Sequence, residues 1–179
     1  MAEIGFTDRL GWTGGFLKSQ LLTSIPKPTA TFSGQTVIVT GSNTGLGREA
    51  ARQIVGLGAA KVIIAVRTVT KGEAAAQDIV KSCGVPKATV EVWQLDMSDP
   101  ESVKSFAMRA SSLKRLDAAL LNAGILTSKW DTVGGVESHV AVNVIGALLL
   151  TCLLLPIMRQ SAAHTGVRGR LSIVGSDMM

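Results

Sequence analysis

The sequence predicts an α/β fold in which helices cover both faces of a doubly wound parallel sheet. Short apolar runs, of which Val62–Val66 is the clearest, alternate with segments of helical periodicity from Gly34 onward. Apolar runs without polar alternation are typical of strands buried on both faces, as in a parallel sheet. Because parallel strands are joined by right-handed crossovers, the alternation predicts one doubly wound domain over residues 34–179, truncated after its fifth strand.

The individual strands and helices follow from local signals in chain order. Apolar or β-branched residues predict five strands, at Thr36–Thr40, Val62–Val66, Thr89–Leu95, Ala118–Leu121 and Leu171–Val174. Helical spacing of apolar residues predicts the buried side of the first helix at Leu46, Ala50, Ile54 and Leu57. In the third helix the buried stripe is predicted at Val103, Phe106, Ala107 and Ala110. The second and fourth helices are predicted within Lys71–Ser82 and Val136–Met158.

Residues that favour helix ends mark several boundaries. Gly58 and Gly84 follow the first two helical patterns, where glycine is the preferred terminating residue. The third helix begins either after Asp99, which places Pro100 at its first position, or after Ser98, which forms a capping box with Glu101.

Residues 1–33 are expected to form an N-terminal extension, because glycines and prolines interrupt them repeatedly. A short amphipathic helix is predicted there through Phe16, Leu17, Gln20 and Leu21, and it is expected to pack on the main domain.

The composition indicates a globular protein without nucleic-acid partners. Apolar residues make up 46% of the chain and charged residues 17%, which is typical of a chain that forms a core. The formal net charge is +5, but the 18 lysines and arginines are scattered and form no block. The few aromatic residues are not interleaved with them, so no base-stacking surface is predicted.

The apolar run Val140–Met158 is long enough to imitate a membrane span. It contains Asn143 and Pro156 and lacks a basic flank on its N-terminal side, so we expect a helix buried in the domain and no membrane span. Acidic Glu3 and Asp8 argue against a secretory signal, and the predicted location is cytoplasmic.

The cysteines and histidines suggest no metal site and no disulfide. Cys83 and Cys152 follow or lie within apolar patterns and are expected to be reduced, buried thiols. His139 and His164 are expected on a helix surface and in a loop, and neither has a triad or metal partner in the sequence.

A glycine-rich turn after the first strand carries the strongest functional signal. Gly41, Gly45 and Gly47 follow a β-branched strand and lead into a helix. Such a turn directs backbone N–H groups and the positive end of a helix dipole at one point, which suits a phosphate group. A nucleoside-triphosphate loop fits poorly, because Arg48 and Glu49 stand where Lys and Ser or Thr are required. A tight strand–helix turn without a ligand is the alternative.

Four further motifs accompany this turn in a specific order. The five are T-G-x-x-x-G-x-G over Thr40–Gly47, Asp96 after the third strand, Asn122-Ala123-Gly124 after the fourth, Asn143 in the long helix and Ser176 after the fifth. Together they resemble the short-chain dehydrogenase/reductase family, whose domain is a Rossmann-type sheet. The resemblance covers the N-terminal part of that domain. The extension and the residues around the second strand are most similar to the fungal retinol-dehydrogenase-like members, which suggests a role in secondary metabolism.

The resemblance implies a set of cofactor-binding residues. The glycine turn would hold the pyrophosphate through Gly41, Ser42, Asn43, Gly45, Leu46 and Gly47. Asp96 would contact the adenine region, with a simple helix-leading turn residue as the alternative. The adenine-ribose side would be lined by Asn122, Ala123 and Gly124.

The charge at the end of the second strand predicts NADP(H) rather than NAD(H). An NAD-binding domain needs an acidic residue there for the ribose 2′-hydroxyl. This sequence has Arg67 at that position and Lys71 one helical turn later. A guanidinium group binds a 2′-phosphate through charge-assisted hydrogen bonds, whereas a carboxylate repels it. Simple surface exposure of both residues is the alternative.

The family's chemistry uses Asn, Ser, Tyr and Lys, and this sequence matches only the first two. Asn143 and Ser176 fit by position, whereas the Tyr-x-x-x-Lys motif is absent and the chain contains no tyrosine. Two interpretations stay open. The chain is part of an NADP(H)-dependent oxidoreductase acting on a small-molecule carbonyl or alcohol, or it is a truncated, inactive dinucleotide-binding or interaction protein. The uncovered helix Val136–Met158 also suggests a homo-oligomer.

Overall fold

A computed structural model describes Leu21, Leu22, Ser24 and residues 28–175, and the compact unit considered below begins at Thr31. The predicted amphipathic helix lies mostly outside the described residues, and Ser176 lies outside them entirely. Five strands form the main sheet, namely β1 (Thr36–Thr40), β2 (Lys61–Val66), β3 (Val90–Gln94), β4 (Ala118–Leu121) and β7 (Arg170–Ile173). The helices are α1 (Gly45–Gly56), α2 (Val69–Cys83), α3 (Pro100–Ser111) and α4 (Ala147–Thr165).

The sheet is parallel throughout and has the order β3-β2-β1-β4-β7. The predicted doubly wound Rossmann-type fold is therefore confirmed. The order reverses direction at β1, because the chain runs outward to β3 on one side and to β7 on the other. Alternate side chains of β1 enter two separate cores: Val37 and Val39 join the core under α1 and α2, and Ile38 joins the core under α3 and α4.

The helix α1 buries a different face from the predicted one. Its buried residues are Gly47, Ala51, Ile54 and Val55, whereas Leu46 is 80% exposed. Ile54 is the only predicted member of the face that is buried. The helix starts against the glycine turn, where Gly47 packs closely, and Leu46 faces outward.

The boundaries of the next two helices agree with the capping signals. The helix α2 ends at Gly84, whose φ of 65° is left-handed. The helix α3 begins after Asp99, whose side chain accepts a hydrogen bond from the Glu101 N–H, and Pro100 is its first residue. Its predicted buried stripe is also confirmed. The helix α1 ends two residues before Gly58, which has a φ of 91°.

The long apolar helix starts later than predicted. Val136 and Glu137 form β6 (Val136–Glu137), which pairs with β5 (Thr132–Val133) in an antiparallel hairpin. Gly134 and Gly135 make the turn with positive φ values of 58° and 80°. A Gly-Gly pair between two valines is a hairpin signal that the sequence analysis missed.

The long helix runs from Val140 to Thr165, and its first part, Val140–Gly146, is π-helical. Among the described residues it is the only helix long and apolar enough to cross a membrane, and one third of its most apolar window is buried. A core helix of a domain passes the same test. The prediction of a buried helix holds for the face that packs on α3 and is wrong for the opposite face, where Val144, Leu148 and Leu155 are exposed.

The two cysteines differ in solvent exposure. Cys83 is half-buried at the end of α2, where its thiol lies 3.6 Å from the Arg52 carbonyl oxygen. Cys152 is exposed, so the prediction of a buried thiol is wrong for it. Its position in an apolar run does not determine which side of the helix it occupies, because the whole run is apolar.

Candidate functional site

A cleft of about 370 Å³ lies at the carboxyl ends of β1, β2, β3 and β4. This is the edge at which the strand order reverses, and ligands of doubly wound sheets bind there. Seven of the residues singled out from the sequence line it, namely Gly41, Asn43, Arg67, Asp96, Asn122, Ala123 and Gly124. Seven others were missed, namely Thr44, Ala65, Val66, Leu95, Met97, Ile125 and Val142. Most of the missed residues directly flank a predicted one at a strand end, and that adjacency was the available signal.

The glycine turn is closed by contacts within the protein. Gly41 has a φ of 65°, and a Cβ atom there would lie 2.8 Å from the Ala123 Cα. A Cβ atom at Gly47 would lie 2.4 Å from Asn122 Nδ2 and 2.6 Å from the Gly41 carbonyl oxygen. The last glycine of the motif is thus required by the packing of α1 against the turn.

Thr40 and Asn122 join the ends of the two central strands. The buried hydroxyl oxygen of Thr40 accepts hydrogen bonds from the backbone N–H groups of Asn122 (3.0 Å) and Ala123 (2.9 Å). In return, Asn122 Nδ2 donates to the carbonyl oxygens of Thr40 (3.2 Å) and Gly41 (3.3 Å). These four bonds hold the floor of the cleft rigid. Thr40 was part of the predicted motif but was not assigned a role in the site.

Not every predicted cofactor residue lines the cleft. The Ser42 hydroxyl is fully buried and donates to the Val39 carbonyl oxygen over 2.7 Å, which stabilises the turn itself. Gly45, Leu46 and Gly47 lie in the first turn of α1. Lys71 is exposed in the first turn of α2, outside the cleft wall.

Two helix N-termini next to the cleft carry no compensating group. The N-cap residues of α1 and α2, Thr44 and Thr68, make no side-chain capping bond, and neither helix has an acidic residue in its first turn. In contrast, α3 has both the Asp99 cap and Glu101. Uncapped N–H groups and an uncompensated helix dipole favour an anion.

The cleft wall carries one basic and one acidic side chain. Arg67 is exposed at the end of β2. Asp96 follows β3, and its Oδ1 accepts hydrogen bonds from the N–H (2.9 Å) and the hydroxyl (2.7 Å) of Ser98. Asp96 therefore shapes the turn into α3 as well as lining the cleft, so the two roles considered for it do not exclude each other.

Asn143 lies in the π-helical segment and faces the loop that follows β4. Its Oδ1 accepts a hydrogen bond from the Ile125 N–H, and its Nδ2 donates to the Ile125 carbonyl oxygen, both over 2.9 Å. The side chain thereby holds the backbone of a residue that lines the cleft. π-Helical turns are frequent at functional sites.

The two histidines differ in their surroundings. His139 Nδ1 lies 2.6 Å from Glu137 Oε1, so this histidine has the carboxylate partner that the sequence analysis did not find. The N–H and imidazole of His139, with the Val140 N–H, lower the pKa of Glu137 from 4.5 to about 2. His164 lies in the last turn of α4 rather than in a loop. Within the described part of the chain, no three metal-ligating side chains cluster.

A doubly wound parallel sheet defines a Rossmann-type domain, and here the glycine turn lies where the strand order reverses. The N-termini of the two helices beside it have no side-chain capping bond. A model of the short chain dehydrogenase family matches residues 35–177. The chain belongs to that family.

Fungal proteins are among its relatives. It is 44% identical over 165 residues to the short chain dehydrogenase/reductase dmxR8 of Cryptosporiopsis sp., covering 92% of this chain and 51% of the relative. It is 46% identical over 159 residues to the short chain dehydrogenase atnD of Emericella nidulans, covering 89% and 50%. The chain thus spans about half the length of these relatives.

The solved structure of a metagenomic short-chain oxidoreductase in complex with NADP has a similar fold. It is 26% identical and superposes with a TM-score of 0.67, covering 82% of this chain and 64% of that one. The likeness supports the Rossmann-type architecture described above.

Proposed function

We propose that the cleft binds NADP(H), and that the chain forms the nucleotide-binding part of an oxidoreductase acting on a small-molecule carbonyl or alcohol. Arg67 carries this proposal. It stands in the cleft wall at the end of β2, where an NAD-binding domain needs a carboxylate for the ribose 2′-hydroxyl. A guanidinium group at that point attracts a 2′-phosphate instead.

The geometry of the cleft fits the phosphates of such a dinucleotide. The first-turn amides of α1, with Gly41 and Asn43 beside them, suit the pyrophosphate. The uncapped start of α2 follows Arg67 directly in the chain, and Lys71 lies in its first turn; both features favour a 2′-phosphate near this point. We assign Asp96 to the adenine region. The NADP complex of the related metagenomic enzyme is consistent with NADP(H) as the cofactor.

We assign Asn122, Ala123 and Gly124, which follow β4, to the adenine-ribose side of the cofactor. The Thr40 hydroxyl holds the backbone N–H groups of the first two. A bound nicotinamide supplies the hydride donor or acceptor of the reaction. The protein contributes a rigid surface that orients it and excludes water.

We assign Ser176 to polarising the substrate carbonyl and Asn143 to the proton-relay side of the site, by their match to the family's pattern. Asn143 uses its side-chain amide to hold Ile125, so its influence on the reaction runs through the position of that backbone. The 179 residues contain no tyrosine to pass the proton. For this polypeptide alone we therefore expect cofactor binding without turnover of carbonyl substrates.

Calorimetric titration of the folded chain with NADPH and NADH tests the cofactor assignment. We expect NADPH to bind more tightly, and Arg67→Asp to weaken NADPH by about tenfold or more while leaving NADH nearly unchanged, because one charge-assisted contact is replaced by repulsion. Arg168→Asp, the same charge change at an exposed turn far from the cleft, is the matched control.

Two results would contradict this assignment. Folded protein that releases no heat with either nucleotide rejects the cleft as a dinucleotide site. An unchanged NADPH-to-NADH ratio in Arg67→Asp removes Arg67 from cofactor selection. Measurable reductase activity of the 179-residue chain would overturn the expectation of binding without turnover.

We further propose a homo-oligomer that covers the exposed face of the long helix, a cytoplasmic location and a place in secondary metabolism. The fungal relatives are consistent with the last of these. The exposed apolar side chains Val144 and Leu148 support the first, because apolar patches of this kind favour association.

A further inference from the structure

The loop that follows β4 is attached to the long helix at two points. Asn143 pairs with both backbone groups of Ile125, as described above. Two residues further along the loop, the Thr127 N–H donates a hydrogen bond to His139 Nε2 over 3.0 Å. His139 and Asn143 are four residues apart and therefore lie on the same side of the helix start. The two side chains hold consecutive parts of one loop.

The hydrogen bonds of His139 indicate which ring nitrogen carries the proton in this arrangement. Nε2 accepts the Thr127 N–H. Nδ1 lies 2.6 Å from Glu137 Oε1 and donates to it. A carboxylate partner stabilises the tautomer with the proton on Nδ1.

Glu137 is itself held in place. Its Oε2 accepts a hydrogen bond from the Val140 N–H over 3.0 Å, and its Oε1 also accepts the Ser138 hydroxyl over 3.2 Å. Contacts with His139 and the Val140 N–H lower its pKa to about 2, so the carboxylate is ionised throughout the neutral range. It therefore accepts the imidazole proton there and fixes the ring orientation from the side opposite Thr127.

The loop held in this way lies on the far side of the cleft from Arg67. Arg67 follows β2 and Ile125 follows β4, and β1 with its glycine turn stands between these strands. A dinucleotide whose 2′-phosphate is at Arg67 and whose pyrophosphate is at the turn must place its nicotinamide half toward β4. Ile125 is therefore the wall residue for that half.

We infer that His139, oriented by Glu137, is a positioning residue that holds the Ile125–Thr127 backbone as the wall of the nicotinamide half of the cleft. This inference rests on the proposed binding of NADP(H). It predicts a selective effect: loss of the imidazole loosens one half of the cofactor site and leaves the adenosine half unchanged.

Two ligands separate the halves. NADPH occupies both, whereas adenosine 2′,5′-bisphosphate contains only the adenosine half and the 2′-phosphate. In His139→Ala we expect the NADPH affinity to fall about tenfold, because the hydrogen bond and the ordering it provides are lost. The affinity for the bisphosphate is expected to stay within about twofold of that of the wild type. His139→Gln, whose amide can accept from Thr127 and donate to Glu137, is expected to restore most of the NADPH affinity. His164→Ala, at the far end of the helix, is the control.

The outcomes are distinct for this inference and for the proposed function. If wild type binds neither ligand, the proposed function fails and this inference with it. If wild type binds both and His139→Ala keeps the wild-type affinity ratio, the inference alone is overturned. Equal weakening of both ligands also overturns it, because that pattern indicates a general loss of structure.

A second variant covers the case in which His139→Ala does not fold. Glu137→Gln keeps a side chain of the same size and leaves the imidazole in place, but removes the charged acceptor. It is expected to weaken NADPH selectively, while Glu101→Gln, on the exposed start of α3, leaves both affinities unchanged. An unchanged ratio in folded Glu137→Gln contradicts the inference.

Discussion

Gly47 lies at a close contact between α1 and the glycine turn beside the cleft. It lies beneath the glycine turn, where its hydrogen faces Asn122 and the carbonyl oxygen of Gly41. Both neighbours are themselves held: Asn122 by Thr40, and the Gly41 backbone by a hydrogen bond from its N–H to the Ala65 carbonyl oxygen over 2.9 Å. The turn therefore cannot move away easily, and we expect a side chain at position 47 to push α1 away from the sheet.

We expect Gly47→Ala to lower the free energy of unfolding by about 1–3 kcal/mol, the usual cost of overpacking a rigid contact. Gly56→Ala is the matched control, because it lies in the same helix and a Cβ atom there meets nothing within 4 Å. The control is expected to raise stability by about 0.5–1 kcal/mol through helix propensity. Urea denaturation measures both, and equal effects of the two substitutions would disprove the close-contact argument.

At the scale of elements, the start of the long helix combines three irregularities: the hairpin of β5 and β6, the Glu137–His139 pair and the π-helical segment. The hairpin ends at Glu137, whose carboxylate then accepts the Val140 N–H at the beginning of the π-helical segment. An acidic group at a helix start also interacts favourably with the helix dipole. Glu137 thus connects the hairpin directly to the helix start, and it connects both to the loop after β4 through His139.

The lowered pKa of Glu137 predicts a pH-dependent contribution to stability. Because its pKa is about 2 in the folded protein and 4.5 ordinarily, the ionised carboxylate stabilises the fold above about pH 4.5, and this stabilisation is lost as the pH falls toward 2. The stability difference between wild type and Glu137→Gln should therefore be largest near neutral pH and shrink between about pH 4.5 and pH 2.

Urea denaturation at several pH values measures this difference. Asp78 and Glu91 also have pKa values lowered by basic partners, but both proteins retain them, so their effect cancels in the comparison. Glu101→Gln controls for the loss of an exposed carboxylate. A difference that is constant from neutral pH to about pH 2 would show that Glu137 is not held as its contacts indicate.

At the scale of the whole molecule, helices cover both faces of the sheet, but the long helix leaves apolar side chains exposed on its outer face. The sheet is covered by α1 and α2 on one face and by α3 and the long helix on the other. The outward face of the long helix exposes Val144, Leu148 and Leu155, and the neighbouring strand β7 exposes Ile173. Exposed apolar side chains of this kind favour association with another surface.

We expect the chain to associate through this surface in solution. Leu148→Lys, at a side chain that is 55% exposed, should shift the protein toward the monomer, because a charge cannot be buried in an apolar contact without a partner. Met108→Lys on α3, at a side chain that is 71% exposed, should leave the association unchanged. Analytical ultracentrifugation gives the result, and a monomeric wild type or an equal effect of both variants contradicts the proposal.

Local signals in the sequence were sufficient for much of the fold. The strand Ala118–Leu121, the buried stripe of α3 and one of the two starts considered for that helix, after Asp99, agree with the structure. Each depends on a pattern within a few residues: a short apolar run, a side chain that caps its own helix, or a repeat at helical spacing. The position of the glycine turn at the end of β1 follows for the same reason.

The tertiary structure alone decided the features that depend on distant pairs. Thr40 meets Asn122 across 82 residues, and Thr127 meets His139 across 12. The outward turn of Leu46 and the exposure of Cys152 depend on how each helix sits on the sheet, which periodicity does not specify when most of the nearby residues are apolar or small. Sequence by itself determined the five strands of the main sheet and where the cleft opens, but not the hairpin of β5 and β6 or the π-helical start of the long helix. Packing between distant segments determined which side chains reach the cleft, because hydrogen bonds and close contacts depend on three-dimensional distance.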